Sequence, residues 1–419
     1  MTSPSETHSV VIGGGVIGAF TAYYLRQTGR QVTIIDRRTF GAACSHGNCG
    51  YVSPSHVLPL CRPGQLANGL KGLISSKHAL RIRPQLSLTF WRWMLEFARN
   101  CNEQQMLRSA AARHTLLQSA ARLYREVIEQ EELQVEWTTD GLMFVFRDSH
   151  EFEQYRKINE LLTDQFGVPA DPIEGSDELV RLEPALKPGL AGAWLYRGDA
   201  HLRPDKLMSE LKRILVQSGV TILDGRECRA FLGSGESATS VATDTEPVAG
   251  QEFIVCTGAW TPMLNSELGC RIPVQPGKGY SITMPRPANC PRYPMILEEC
   301  HVAITPFADG YRVGSTMEFA GYDDSLNRTR LNYLLTGASQ YLQTPTAEPV
   351  EEEWCGWRPM TTDGLPYLDR SPRYRNVWVA AGHNMLGISM APATGRLMME
   401  LITDQTPHID PQPYRIGRR

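Results

Sequence analysis

The stretch "VVIGGGVIGAFTAYYLRQTGRQVTIID", residues 10–36, constrains the fold more than any other part of the chain. A β-branched apolar run leads into a glycine cluster, a segment of helical apolar spacing closes at Gly29, and a second apolar run ends at Asp36. This predicts strand, turn, helix and strand, one βαβ unit that starts a parallel sheet. Gly13, Gly15 and Gly18 form G-x-G-x-x-G directly after the first strand, where glycines permit a tight turn, close approach of a pyrophosphate and close helix–sheet packing. Gly13, Gly14, Gly15, Val16, Ile17 and Gly18 are therefore expected to cradle a dinucleotide at a helix N-terminus. Asp36 is placed to accept from ribose hydroxyls, and that acid weighs against the alternative of a merely structural turn. Arg37 and Arg38 would suit a 2′-phosphate, but the acid would repel it, so they are expected to flank the adenine. The fingerprint does not separate FAD from NAD, which share their ADP half.

With 419 residues the chain fits two domains, and 42% hydrophobic with 21% charged residues places it among soluble globular proteins. A net charge of −3 supplies no basic field, so no nucleic-acid partner is expected. The opening MTSPSETHSV lacks the features of a secretory leader and no apolar run is long enough to span a membrane, which predicts a cytoplasmic protein. Ten cysteines without a CxxC pair argue against a zinc ribbon, an iron–sulfur site or a dithiol centre, and no metal is expected. Glu298, Glu299, Cys300 and His301 are adjacent, but neighbours in a strand alternate faces and do not converge on one ion.

A loop rich in Gly, Ser, Pro and Cys (41–64) precedes helical sequence at 88–101 and 109–133, a strand at 141–146 and an amphipathic helix at 151–167. Helix and strand follow at 201–225, a strand at 252–260, then short strands from 271 to 355 separated by Pro and Gly turns, as in an antiparallel sheet. The C-terminal part again reads strand, glycine turn, helix. The fold class expected is α/β: a discontinuous Rossmann-like domain with a parallel sheet (1–85, 199–268 and 356–419) and an α+β substrate-binding domain on an antiparallel sheet (86–198 and 269–355).

Three segments separate FAD from NAD. "CSHGNCGYVSP" (44–54), "IVCTGAW" (254–260) and "GWRPMTTDGLPYLD" (356–369) followed by "AAGHNMLGISMAPATGRL" (380–397) resemble the FAD-dependent amino-acid oxidoreductases of the D-amino-acid oxidase superfamily, most nearly its D-amino-acid dehydrogenase branch. "SPSHVLPLCRPG" and "HVAITPFADGYRVGSTMEF" extend the resemblance over essentially the whole chain. It implies FAD as cofactor, with Ser45, Asn48, Gly50 and Tyr51 along the ribityl chain and flavin face, Thr257 and Gly258 against the ADP portion, and Gly382, His383, Asn384, Met385, Leu386 and Gly387 along the isoalloxazine. Cys49 and Asn384 depart from the alanine and glycine common in relatives. His46, near the flavin loop, fits poorly as a covalent tether.

The resemblance further implies oxidation of a D-amino acid, with D-proline or hydroxy-D-proline as possible cyclic substrates, hydride passing from Cα to flavin N5 and electrons to a quinone-type acceptor. A glycine- or sarcosine-type amine oxidase using oxygen is the enzyme alternative, and a flavin-bearing binding protein without turnover the third. Arg358 is the expected carboxylate anchor, because a planar fork binds a carboxylate bidentately; the competing reading pairs it with Asp363. Tyr280 and Tyr51 are candidate hydroxyl donors or pocket walls, His56 and His383 candidate contacts to substrate or flavin, and Lys278 is read as a surface lysine. "LTFWRWMLEFARNC" (88–101) is read as a core helix, with an interfacial helix giving peripheral contact with the inner face of the cytoplasmic membrane as the alternative.

Overall fold

The computed structural model describes residues 7–65, 79–83 and 85–418. Residues 1–6, on which the leader reading partly rests, and 66–78, within the first expected domain segment, lie outside the described residues. The glycine-rich opening forms strand β1 (His8–Ile12), helix α1 (Val16–Gln27) and strand β2 (Gln31–Asp36). Among the described residues their sheet has six strands, in the order 367–370, 377–381, 252–255, β1, β2, 221–224. Every neighbouring pair is parallel except the outer 367–370 strand, which runs antiparallel to 377–381. A parallel sheet must be covered on both faces, and β1 accordingly buries Val10 and Val11 completely, on opposite sides.

Helices cover one face. Helix Gly387–Ile402 packs so closely on α1 that a Cβ built on Gly395 would stand 2.6 Å from the backbone C and O of Phe20. The long helix Glu103–Gln130, capped by the Asn102 side chain, joins this layer: the Phe20 and Tyr124 rings meet edge to face at 5.5 Å, and the Tyr124 hydroxyl donates to the Ile388 carbonyl at 2.8 Å. Sequence reading assigns that helix to the second domain. Its apolar stripe of Leu116, Ala120, Leu123 and Val127 instead shares one core with Phe20 and Leu397, because the residues that complement it lie in α1 and 387–402.

Among the described residues the second sheet has nine strands, led by 352–361, 274–284, 311–319 and 302–306 in antiparallel order. It is mixed, since 295–297 pairs parallel with 142–146 and 80–82 parallel with 311–319. Two expected boundaries cut across it. Strand 80–82 belongs here, and 352–361 runs unbroken through residue 356 in continuous register with 274–283. A small three-stranded sheet (228–234, 237–243, 248–249) leaves no clear sequence signal because few of its side chains are buried.

Gly395→Val is expected to force α1 and helix 387–402 apart, since backbone stands in the way, and to cost about 1–3 kcal/mol. Denaturant unfolding would show it as a lowered midpoint.

Candidate active site

The site begins where backbone crowds backbone. Gly13 has φ +113° and a Cβ there would meet the Cys256 carbonyl oxygen at 2.5 Å; one on Gly18 would meet the Gly13 oxygen at 1.9 Å. Only glycine fits either place. The Asp36 carboxylate accepts from Gly14 N–H at 2.6 Å and Arg38 N–H at 2.7 Å, so the acid also fastens the turn. Burial raises its pKa, and the two backbone donors oppose that. Ser45 Oγ accepts from Val16 N–H at 3.0 Å, while Gly15 and Ile17 N–H find no acceptor among the described residues. These free donors at a helix start are where phosphate oxygens bind.

One cleft runs from this turn to the nine-stranded sheet. Gly13, Gly15, Val16, Ile17 and Asp36 line one end, with Arg37 and Arg38 beside them. Ser45 and Asn48 enter from the loop, Thr257 and Gly258 from the neighbouring strand end, and Arg358, His383, Asn384, Met385 and Gly387 from the C-terminal segments. Arg37 stacks over Trp260, 3.9 Å from the ring centroid, forming a flat cationic–aromatic wall that sequence reading missed. Gly14, Gly18, Gly50, Gly382 and Leu386 do not line the cleft. They shape it from behind: Gly50 at φ +80° leaves room for the Leu202 carbonyl, Gly382 at φ +89° for Thr361, and Leu386 is buried in the core.

Asn384 sits at φ +54°, which its short polar side chain tolerates; this accounts for a departure from glycine. Its amide nitrogen donates to Thr361 Oγ1 at 3.0 Å and Gly382 O at 2.9 Å, while its Oδ1 accepts from Thr361 N–H at 2.9 Å, tying the 382–387 turn to the strand that carries Arg358. His383 Nε2 lies 3.0 Å from Thr394 Oγ1, and burial drops its pKa to about 3, so the ring is neutral.

Arg358 has no carboxylate partner among the described residues. Asp363, the expected competitor, is gripped by Arg418, whose Nε and Nη2 donate at 2.7 and 2.9 Å. Arg358 Nη1 donates to the Thr316 carbonyl, and burial lowers its pKa from the usual guanidinium value. A half-buried cation facing a cleft without a carboxylate partner calls for an anionic occupant.

Three other candidates point elsewhere. The Tyr280 hydroxyl donates to Glu318 at 2.6 Å inside the sheet's core, because alternation sets Lys278 and Tyr280 on the face opposite Gly277, Gly279 and Arg358. Lys278, expected at the surface, is fully buried and donates to the Ser325 carbonyl. The Tyr51 hydroxyl lies 2.9 and 2.8 Å from the carbonyls of Met295 and Ile304, and His56 packs 5.5 Å from the Phe144 ring with its pKa lowered by burial to about 4. Glu298–Cys300 form a 3-10 turn rather than a strand, with Glu299 accepting from the Arg147 and Asp148 N–H groups.

Sequence reading also missed what holds the loop. Fully buried Arg312 donates from Nη1 to the carbonyls of His46 (3.0 Å) and Asn48 (2.7 Å) and from Nε to Thr283 Oγ1 (3.0 Å). The Trp354 indole fills the space left by two glycines: a Cβ would meet it at 2.1 Å from Gly47 and 2.2 Å from Gly356. His46 Nε2 pairs with Glu352 at 2.7 Å.

Residues 8–401 match the profile of the DAO family, described as FAD dependent oxidoreductase. The chain belongs to this family. It is 30% identical over 421 residues to the D-amino acid dehydrogenase of Agrobacterium fabrum, covering 97% of this chain and 98% of that one. It is 29% identical to the D-amino acid dehydrogenase of Granulibacter bethesdensis, covering 98% and 99%. Glycine oxidase from Geobacillus kaustophilus shares the fold with a TM-score of 0.77, 21% identity and 99% of each chain covered. FAD is thus the cofactor of this oxidoreductase. The residues present fit it: the free N–H groups of Gly15 and Ile17 suit the pyrophosphate, Asp36 the ribose, and the Arg37–Trp260 pair the adenine end.

The His46–Glu352 pair carries a pH signature. Their mutual hydrogen bond is the largest influence on each, raising His46 above 6.5 and lowering Glu352 below 4.5. The histidine's contribution is complete below 6.5 and lost as pH rises through its raised pKa; the glutamate's is present above 4.5 and lost as pH falls through its lowered one. Glu352→Gln should therefore lower the melting temperature most near pH ~5.5 and least above pH ~8. Melting curves of both proteins across that range would check it.

Proposed function

We propose that this FAD-dependent oxidoreductase dehydrogenates a free D-amino acid, and the observation that carries the reading is Arg358, a half-buried guanidinium facing the cleft with no carboxylate partner among the described residues. The two dehydrogenase relatives support the substrate class. Arg358 grips the substrate carboxylate, and the turn around neutral His383 forms part of the cleft wall without offering a charge that would compete for it. FAD, held by the glycine turn, Ser45 and the 382–387 segment, would supply the hydride-accepting chemistry. The amine reacts in its neutral form, its ammonium proton having passed to solvent on entry, and its lone pair assists departure of the hydride to leave an iminium. The imino acid then takes up water to give a 2-oxo acid and ammonia; a D-proline-type substrate leaves a cyclic imine.

For reoxidation we propose a quinone-type acceptor reached at a membrane surface. Helix Leu88–Asn100 buries Phe90 and Trp93 inward, yet it leaves Leu88 (90%), Trp91 (43%) and Leu95 (62%) exposed on one outer face, beside Leu86. Among the described residues no helix is long and apolar enough to cross a membrane, so the contact proposed is peripheral.

Anaerobic mixing with amino acids of both chiral forms should bleach the flavin's visible absorbance with D forms only. Bleaching by glycine or sarcosine with peroxide formed in air would favour the oxidase reading, and no bleaching the non-catalytic one. Arg358→Ala is expected to raise KM about 100-fold or more, through loss of a charge-assisted bidentate pair, and to leave FAD bound. Replacing Leu88, Trp91 and Leu95 together by serine should abolish sedimentation with anionic liposomes while turnover with a soluble dye acceptor stays unchanged.

A further inference from the structure

The sheet face beneath Arg358 has been stripped of side chains. In the pairing of strands 274–284 and 352–361, Gly277 lies opposite Arg358 and Gly279 opposite Gly356. A Cβ built on Gly279 would stand 2.5, 2.6 and 2.7 Å from Cζ, Nη2 and Nη1 of Arg358. Three nearly equal distances mean that the guanidinium lies face-on against the strand at Gly279. In that pose its hydrogen-bonding edge runs along the sheet. One donor, Nη1, is fixed by the Thr316 carbonyl, and the remaining N–H groups have no acceptor among the described residues. The Thr316 carbonyl owes its direction to a bulge in which Ser315 and Thr316 both take positive φ, +96° and +53°, although neither is glycine. Such strain persists only where the surroundings enforce it.

We propose that Gly279 is a positioning residue for the carboxylate anchor: its missing side chain is the socket that lays the Arg358 guanidinium flat, with its free edge turned to the substrate. This rests on Arg358 being the anchor. A methyl group at 279 collides with the far end of a flexible side chain, not with backbone, so Gly279→Ala costs the fold little and moves the guanidinium instead. Restoring ordinary contact requires a displacement of about 1 Å, enough to spoil a bidentate geometry and to weaken binding by about 10- to 100-fold.

The test uses the FAD-loaded enzyme, with D-alanine and D-proline as substrates and acetate as a bare carboxylate competitor whose affinity is read from the flavin spectrum. In Gly279→Ala, KM and the acetate dissociation constant should both rise about 10- to 100-fold, while kcat changes less and melting temperature and FAD content hold. In an Arg358→Lys background, whose narrow ammonium needs no flat socket, adding Gly279→Ala should have little further effect. Unchanged acetate affinity in Gly279→Ala, with affinity lost in Arg358→Ala, overturns the socket and spares the anchor. An equal loss in both backgrounds also overturns it, because the glycine would then act through the sheet. Unchanged affinity in Arg358→Ala overturns the anchor itself and this inference with it.

Discussion

The two sheets are joined at the cleft through carbonyl groups. Arg312, rooted in the nine-stranded sheet, donates to the backbone oxygens of His46 and Asn48 in the loop that follows the nucleotide-binding unit. Hydrogen bonds from a charged donor are worth about 1.5–3 kcal/mol each, and losing the donor would leave two half-buried oxygens without it. Because loop 44–50 is fastened to this strand and to Ser45's contact at the start of α1, the strand that carries Arg358 has a fixed relation to the glycine turn. Trp354 reinforces the same joint by wedging between Gly47 and Gly356.

What could be read beforehand follows from where physical constraint leaves a local mark. The turn at Gly13, Gly15 and Gly18 is written in consecutive residues because backbone must approach backbone there, and the C-terminal segments around Arg358 and Asn384 were legible through their resemblance to known flavoenzymes. Arg312, Trp354 and Gly47 left no such mark. Their partners lie in remote strands, and only the register between 274–284, 311–319 and 352–361 brings them together. Tyr280 illustrates a signal present but unused: in "PGKGYSITM" the glycines alternate with Lys278 and Tyr280, and period-two alternation already sets them on opposite faces. The place of helix 103–130 beside α1 is not legible, because an apolar stripe tells which face is buried but not which neighbour buries it.

Around Arg358 the cleft owes its chemistry to backbone and to a cation that has no carboxylate partner among the described residues. The His383 ring is held neutral by burial, the Asp36 carboxylate also fastens the glycine turn, and Asp363 is occupied by Arg418. An oxidation that needs orientation more than proton transfer is suited to such a site. The electron-accepting group is supplied by the cofactor, and the protein contributes placement.

The order of strands in the six-stranded sheet bears on biogenesis. β1 sits between β2, its near neighbour along the chain, and strand 252–255, which in turn requires 377–381. A nascent chain emerging from the ribosome can pair β1 on one edge early, yet the other edge stays bare until hundreds of residues later have been synthesised. The cleft, which draws on residues 257–258 and 383–387, is therefore complete only once nearly the whole chain has been made.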